Sequence, residues 1–154
     1  KPSLVLGNGR PFFVKLQNPN KRKLRLTSKI FKSLKINRLK IVSDSPKKPL
    51  KFISSIKMRI SAESDIKIQN LKKLKDLIKS PVVVYDVSGK RSEKKISSVK
   101  YKKTSQNEFS LFLKADGGLP IKRFVNGDNV SPGVSSIIDN SCKCLEFDFL
   151  DIRV

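Results

Sequence analysis

Apolar positions along this chain fall into alternating runs separated by turn-forming residues. Between 52 and 62, Ile56, Met58, Ile60 and Ala62 occupy every second position, which predicts a half-buried sheet strand. Phe109, Leu111 and Leu113 repeat the pattern at the start of FSLFLKADGGLPIKRFVNGD (109–128), which then breaks at Gly117-Gly118. Neither glycine carries a Cβ, so a backbone or a ligand can approach closely there. Pro120 suits the first turn of a short helix, where its missing N–H costs little. That helix projects Lys122 and Arg123 from its first turns, beside the glycine pair.

The remaining elements follow from the same periodicities. An apolar stretch from residue 4 leads into a GNGRP turn. A strand follows, with Phe12, Val14 and Leu16 on one face and Phe13, Lys15 and Gln17 on the other. Ser28 is the expected N-cap of a helix carrying Ile30, Phe31 and Leu34. A strand is expected around residues 38–43, and SDSPKKP (43–49) is a loop by composition. Ile68, Leu71, Leu74 and Ile78 line one face of a helix over 66–79, which Pro81 ends. VVVYDV (82–87) predicts a buried strand, SGKRSEKK a turn or hairpin tip, and Ile96, Val99 and Tyr101 an adjoining strand. A short helix near 132–139 and a final strand around 143–152 complete the chain. Strands with interspersed helices and hairpin-like turns predict an α+β domain on a largely antiparallel sheet flanked by short helices. The 154 residues suffice for one core, and length gives no argument for two domains.

Charge changes the picture most. With 34 Lys+Arg against 13 Asp+Glu, the formal net charge is +21. Such an imbalance repels itself unless a polyanion is near, and it points to nucleic acid rather than to lysines that merely keep a surface soluble. No apolar run is long enough to span a membrane, and no long basic amphipathic helix with aromatic anchors suggests a membrane surface. Cys142 and Cys144 share one face of a strand with poor geometry for a mutual disulfide, and are expected to be reduced, packed thiols of a cytoplasmic protein. Without histidine there is no Ser-His or Cys-His nucleophile, and two cysteines do not complete a zinc site, so no metal is expected. No P-loop or dinucleotide fingerprint calls for a cofactor. What remains for acid–base work is carboxylates, lysines, Tyr85 and Tyr101.

The strand, bare glycine turn and basic helix start at 109–128 read either as a phosphate or carboxylate site, or as a plain turn with solvated lysines. The residues themselves resemble a known family. Gly118 to Asp128 (GLPIKRFVNGD) is similar to the late G-x-x-[IV]-[KR] motif of the pseudouridine synthases, and most closely to the archaeal and eukaryotic tRNA pseudouridine-54/55 synthases. LGNGRPFFVKLQNP (6–19) resembles that family's L-G-N-G-R-P-F run, roughly a hundred residues earlier and in the right order.

The resemblance implies a pseudouridine-synthase-like mixed sheet and cofactor-free isomerisation of uridine in the tRNA T-arm. In that reaction an aspartate assists cleavage of the glycosidic bond, the uracil turns, and it re-bonds through carbon. It implies that Lys122 pairs with this aspartate, which the family places a few residues before the L-G-N-G-R-P-F run, upstream of residue 1. The expectation is therefore the C-terminal portion of a synthase catalytic domain, 1–154, a fragment inactive by itself. Arg10, Arg123, Met58 and Phe147 are the expected substrate contacts, with tRNA as partner. Gly7, Gly9, Gly117 and Gly118 are expected to serve the backbone, and Asp128 and Glu146 to lie near the cleft without an assigned role.

Three departures separate the chain from the family pattern. Met58 stands nearest the tyrosine that stacks on the target base. Lys90 and Arg91 alone stand near the place of an H-R-R cluster, and the G-R-T after Asp128 is shortened to Asn129-Val130-Ser131. They keep open a second possibility, a basic RNA-binding module or degenerate synthase copy without chemistry.

Overall fold

The alternation at 52–62 becomes β3 (Ile53–Ala62), a strand bonded on both sides. The computed structural model describes residues 2–21, 23–25 and 27–154, in two compact units: Lys1–Arg10 with Lys51–Val154, and Pro11–Leu50. In the first unit β3 lies between β7 (Glu108–Asp116) and β9 (Cys142–Arg153), and β6 (Ile96–Lys103) extends the sheet beyond β7. Every pairing in this four-stranded sheet is antiparallel. A second, three-stranded sheet holds β4 (Val82–Tyr85) between β5 (Arg91–Lys94) and β8 (Val130–Ser131). The expected α+β, largely antiparallel fold is what forms.

One face of the four-stranded sheet is the core. Ile56, Met58 and Ile60 of β3 and Phe109, Leu111 and Leu113 of β7 are buried there. The core also takes Phe124 of α2 (Ile121–Asn126) and Val134 of α3 (Val134–Ile137). Burying such side chains is the main stabilising term, at about 1.5–3 kcal/mol each. On the opposite face Arg59 reaches Glu108 at 3.4 Å and Glu146 at 3.5 Å, a ladder too solvated to contribute much. The helix expected over 66–79 forms as α1 (Ile68–Lys72) followed by a 3-10 helix, Lys73–Ile78. The tighter winding changes its apolar stripe to a three-residue repeat, so Leu71, Leu74 and Leu77 are buried while Ile68 and Ile78 are exposed.

The unit Pro11–Leu50 corrects three expectations. The segment after Ser28 is a hairpin, β1 (Lys29–Phe31) with β2 (Leu34–Ile36), in the register Lys29↔Ile36 and Phe31↔Leu34. A helix this short is marginal in water, and Ile30, Phe31 and Ile36 favour extended backbone. Lys32 takes a left-handed φ of 45° in the turn between the strands. Residues 12–17 and 38–43 are not strands. The second run makes one backbone bond, Leu39 N–H to Thr27 O at 2.9 Å, but does not continue as a ladder, and Arg38 with φ 55° breaks it. Among the described residues no helix is long and apolar enough to cross a membrane.

Candidate active site

Two stretches far apart in sequence meet on the sheet unit. The first, Leu4–Arg10, lies along β9: Phe149 N–H donates to Leu4 O at 2.8 Å, and Leu6 N–H to Phe149 O at 2.8 Å. Beyond it the chain turns at Gly7-Asn8, where Asn8 donates to Asp151 Oδ1 through its backbone N–H at 3.0 Å and its Nδ2 at 3.2 Å. The Asn8 N–H, and then Arg153, hold the Asp151 carboxyl below the usual carboxylate range. Gly7 sits at φ 68° with Asp151 Oδ1 2.4 Å from where a Cβ would stand, so this turn accepts glycine alone. It delivers Arg10, whose guanidinium carbon lies 4.5 Å above the Phe149 ring. Phe149 in turn meets Phe147 edge-on at 5.8 Å.

The second stretch is the glycine pair after β7. Gly117 donates its N–H to Phe52 O at 2.8 Å, and any Cβ on it would stand 2.4 Å from the Phe52 ring. Gly118 takes φ 86°, and Lys94 Nζ donates to Gly117 O at 2.9 Å. Pro120 caps α2, its carbonyl accepting the Phe124 N–H at 2.8 Å.

Between these stretches is a pocket of about 220 Å³. Arg10, Phe149, Phe52, Asp116 and Gly118 form its more open side, and the buried residues Ser54, Ile56 and Leu119 its inner wall. Ser54 is 1% exposed, and its Oγ has no hydrogen-bond partner among the described residues. A wider, polar depression of about 520 Å³ near Asn126, Ser135 and Asn140 has no basic or aromatic side chain in its lining. Lys122 is exposed on α2, which packs on β9. Burial pushes the Cys144 thiol of β9 up, and the nearby Lys122 ammonium pulls the other way. Among the described residues Lys122 has no carboxylate partner.

The family model described as Pus10, C-terminal, matches residues 3–153. The chain belongs to the Pus10 C-terminal family. It is 62% identical over 154 residues to the tRNA pseudouridine synthase Pus10 of Nitrosopumilus maritimus (strain SCM1), covering 100% of this chain and 40% of that protein. It is 35% identical over 153 residues to the tRNA pseudouridine synthase Pus10 of Cenarchaeum symbiosum (strain A), covering 99% and 38%. The chain thus spans about two fifths of the length of these curated relatives. Among solved structures, a Cbf5-Nop10-Gar1 complex contains a chain of the same fold, with TM-score 0.53 at 7% identity over 62% of this chain and 29% of that one.

In this Pus10 C-terminal chain, Arg10 and Gly118 share the pocket, and Gly7, Gly9 and Gly117 hold the two turns that form it. Phe147 supports the pocket indirectly, through Phe149. Two expected substrate contacts are placed elsewhere. Met58 is 1% exposed, between Leu111 of β7 and Phe147 of β9, so its side chain is core. Arg123 turns its guanidinium onto backbone, donating to Asp128 O at 3.0 Å and to the carbonyls of Tyr85 and Asn129. Its donors staple α2 to the end of β4 and the loop before β8. Sequence reasoning missed Ser54, Asp151, Phe52 and Lys94. Ser54 was visible as a polar residue in phase with Ile56, Met58 and Ile60; the other three carry no pattern.

Proposed function

We propose that this chain is the pocket-forming C-terminal part of the catalytic domain of a tRNA pseudouridine synthase, which isomerises uridine to pseudouridine in the T-arm. The observation that carries the reading is the convergence of Arg10 and Gly118-Leu119, roughly a hundred residues apart, on one pocket beside α2. Two phenylalanines and Ile56 give apolar surface for a planar base extruded from the RNA stack. In this reading the catalytic aspartate comes from the part of the longer protein that precedes Leu4–Arg10, which runs along β9 as α2 packs on it. Lys122 pairs with that carboxylate and favours its ionised form. The carboxylate assists rupture of the N1–C1′ bond, the uracil turns in the pocket, C1′ bonds to C5, and the C5 proton is lost as N1 gains one. No cofactor enters the scheme. The basic surface contacts phosphates and tRNA shape, with the steep salt dependence that counterion release imposes. The buried thiols of Cys142 and Cys144 fit action in a reducing cytoplasm.

One observation favours a second reading, an RNA-binding copy without chemistry: Met58, nearest to the family's stacking tyrosine, is sealed in the core. A single assay separates the two. The full-length protein is incubated with an unmodified tRNA transcript, and pseudouridine is mapped in the T-arm for wild type and Lys122→Ala. Product from wild type that collapses in the variant supports the synthase. Tight binding with no product in either supports the second reading.

A further inference from the structure

Arg10 is the polar side chain of the pocket that the fold leaves open to a ligand. Of the other two polar residues in the lining, Ser54 is enclosed, and Asp116 accepts the Lys95 N–H at 2.8 Å through Oδ2. Arg10 is exposed, stands 4.5 Å over the Phe149 ring, and has no carboxylate partner among the described residues. A solvated cation–π contact is too weak to hold so long a side chain by itself. Its position therefore depends on the backbone that delivers it. Leu4 and Leu6 are bonded to Phe149, and the next tether along the chain is Asn8, two residues before Arg10. The Asp151 carboxylate makes that tether with one oxygen, Oδ1, which accepts the Asn8 N–H at 3.0 Å and Asn8 Nδ2 at 3.2 Å.

Two local features allow this grip. β9 bulges at Leu150: Ile56 pairs with Phe149, but Ser55 pairs with Asp151. Adjacent strand positions face opposite ways, so Phe149 lies on the core face with Ile56, and Asp151 on the other face with Ser55. The edge segment is thus held from both sides of β9, Asn8 by Asp151 and Arg10 by Phe149. The missing Cβ at Gly7 makes room for the carboxylate, whose Oδ1 it would otherwise meet at 2.4 Å.

We propose that Asp151 is a positioning residue: it fixes the Gly7-Asn8 turn so that the Arg10 guanidinium stands over Phe149 and meets the target nucleotide. The assignment rests on the synthase reading above and adds to it the group that aims the cation of the pocket. A guanidinium already aimed needs no reorientation when the nucleotide arrives, whereas one on a loose turn must lose that freedom during binding.

The test is a coupling cycle in the full-length protein, read as the single-turnover rate of pseudouridine formation at saturating unmodified tRNA transcript. Asp151→Ala slows the rate roughly tenfold or more, with a melting temperature close to that of wild type. Asp151→Asn keeps an oxygen for Asn8, and Arg153, whose side chain is 80% exposed, swings away from the new amide. This variant therefore recovers most of the rate. Arg10→Ala is slowed at least as much as Asp151→Ala. Adding Asp151→Ala to Arg10→Ala then slows the protein no further, because Asp151 acts through Arg10. A wild-type rate in Asp151→Ala, an Asp151→Asn protein as slow as Asp151→Ala, or losses that multiply in the double variant overturn the assignment and leave the synthase reading standing. An Asp151→Ala protein that melts far below wild type or does not fold also overturns it, since the carboxylate would then be serving the whole fold. A wild-type protein that forms no pseudouridine overturns the synthase reading and this assignment with it.

Discussion

Met58 and Ile60 in the sheet unit are 1% and 0% exposed, whereas Val14, Leu16 and Ile30 in Pro11–Leu50 are 69%, 70% and 70% exposed. Both regions carry alternating apolar residues, but burial needs a partner strand and a covering layer. The sheet unit supplies both: β7 and β9 flank β3, and the helices cover its inner face. In Pro11–Leu50 the eight-residue hairpin Lys29–Ile36 gives Ile30 a partner strand, but no layer covers it. Charge is also unevenly divided. Pro11–Leu50 contains 12 Lys/Arg and only Asp44 as an acid, so about a quarter of the chain carries +11 of its +21. One region is organised around its own core; the other carries exposed apolar residues and an excess of positive charge.

The sharpest way to break this comparison is to remove a phenylalanine from each region. Phe124→Ala empties a fully buried site and is expected to cost about 3–5 kcal/mol in urea unfolding followed by far-UV circular dichroism. Phe31→Ala, on an exposed hairpin position, is expected to stay within about 0.5 kcal/mol. Similar losses at the two sites would show that Pro11–Leu50 has a core of comparable weight.

A smaller effect concerns pH. Burial pushes the Cys142 thiol up to about 11, from 9.0 in an exposed thiol. Its folded value lies above its unfolded value, so its contribution is fully present below pH 9 and is lost as pH rises through about 11. Stability of the sheet unit should fall across that window relative to its own value at neutral pH. Cys142→Ala should flatten that part of the curve. A pH profile of identical shape in the two proteins would mean the thiol is solvated.

The smallest effect, per residue, lies in the hairpin. Replacing Lys29, Lys32 and Lys35 with alanine should leave unfolding almost unchanged. It should lower the slope of log tRNA affinity against log salt by about one for each lysine that meets a phosphate. An unaltered slope would remove the hairpin from the RNA interface.

Legibility in the sequence followed the same division. β3, β7, β9 and α2 were visible because their apolar residues alternate or cluster on a face that a packed layer does bury. The pocket was half visible: Arg10 and Gly118 lie in motif-like runs, and Gly117 was marked for close approach before the Phe52 ring gave the reason. Asp151 and Lys94 were invisible, because an isolated charge has no period and its partner is fixed by register across strands. Met58 was misplaced by analogy, and Arg123 by its position at the start of α2. The first sits in phase with the core, and the second finds three carbonyls that only the folded chain brings within reach. In Pro11–Leu50 the helix and two strands failed because short-range pattern alone, without a covering layer, does not select between extended, turned and helical backbone.

The central proposal is that chemistry belongs to the sheet unit and that electrostatic capture is shared with Pro11–Leu50. The most direct measurement is single-turnover pseudouridine formation at saturating tRNA. Full-length wild type would be compared with Lys122→Ala and with the triple hairpin variant, alongside tRNA affinity for each. The account predicts that Lys122→Ala loses the rate by several orders of magnitude while keeping affinity within a few fold, and that the triple variant weakens binding but reaches the wild-type rate at saturation. A Lys122→Ala protein that turns over like wild type would contradict it.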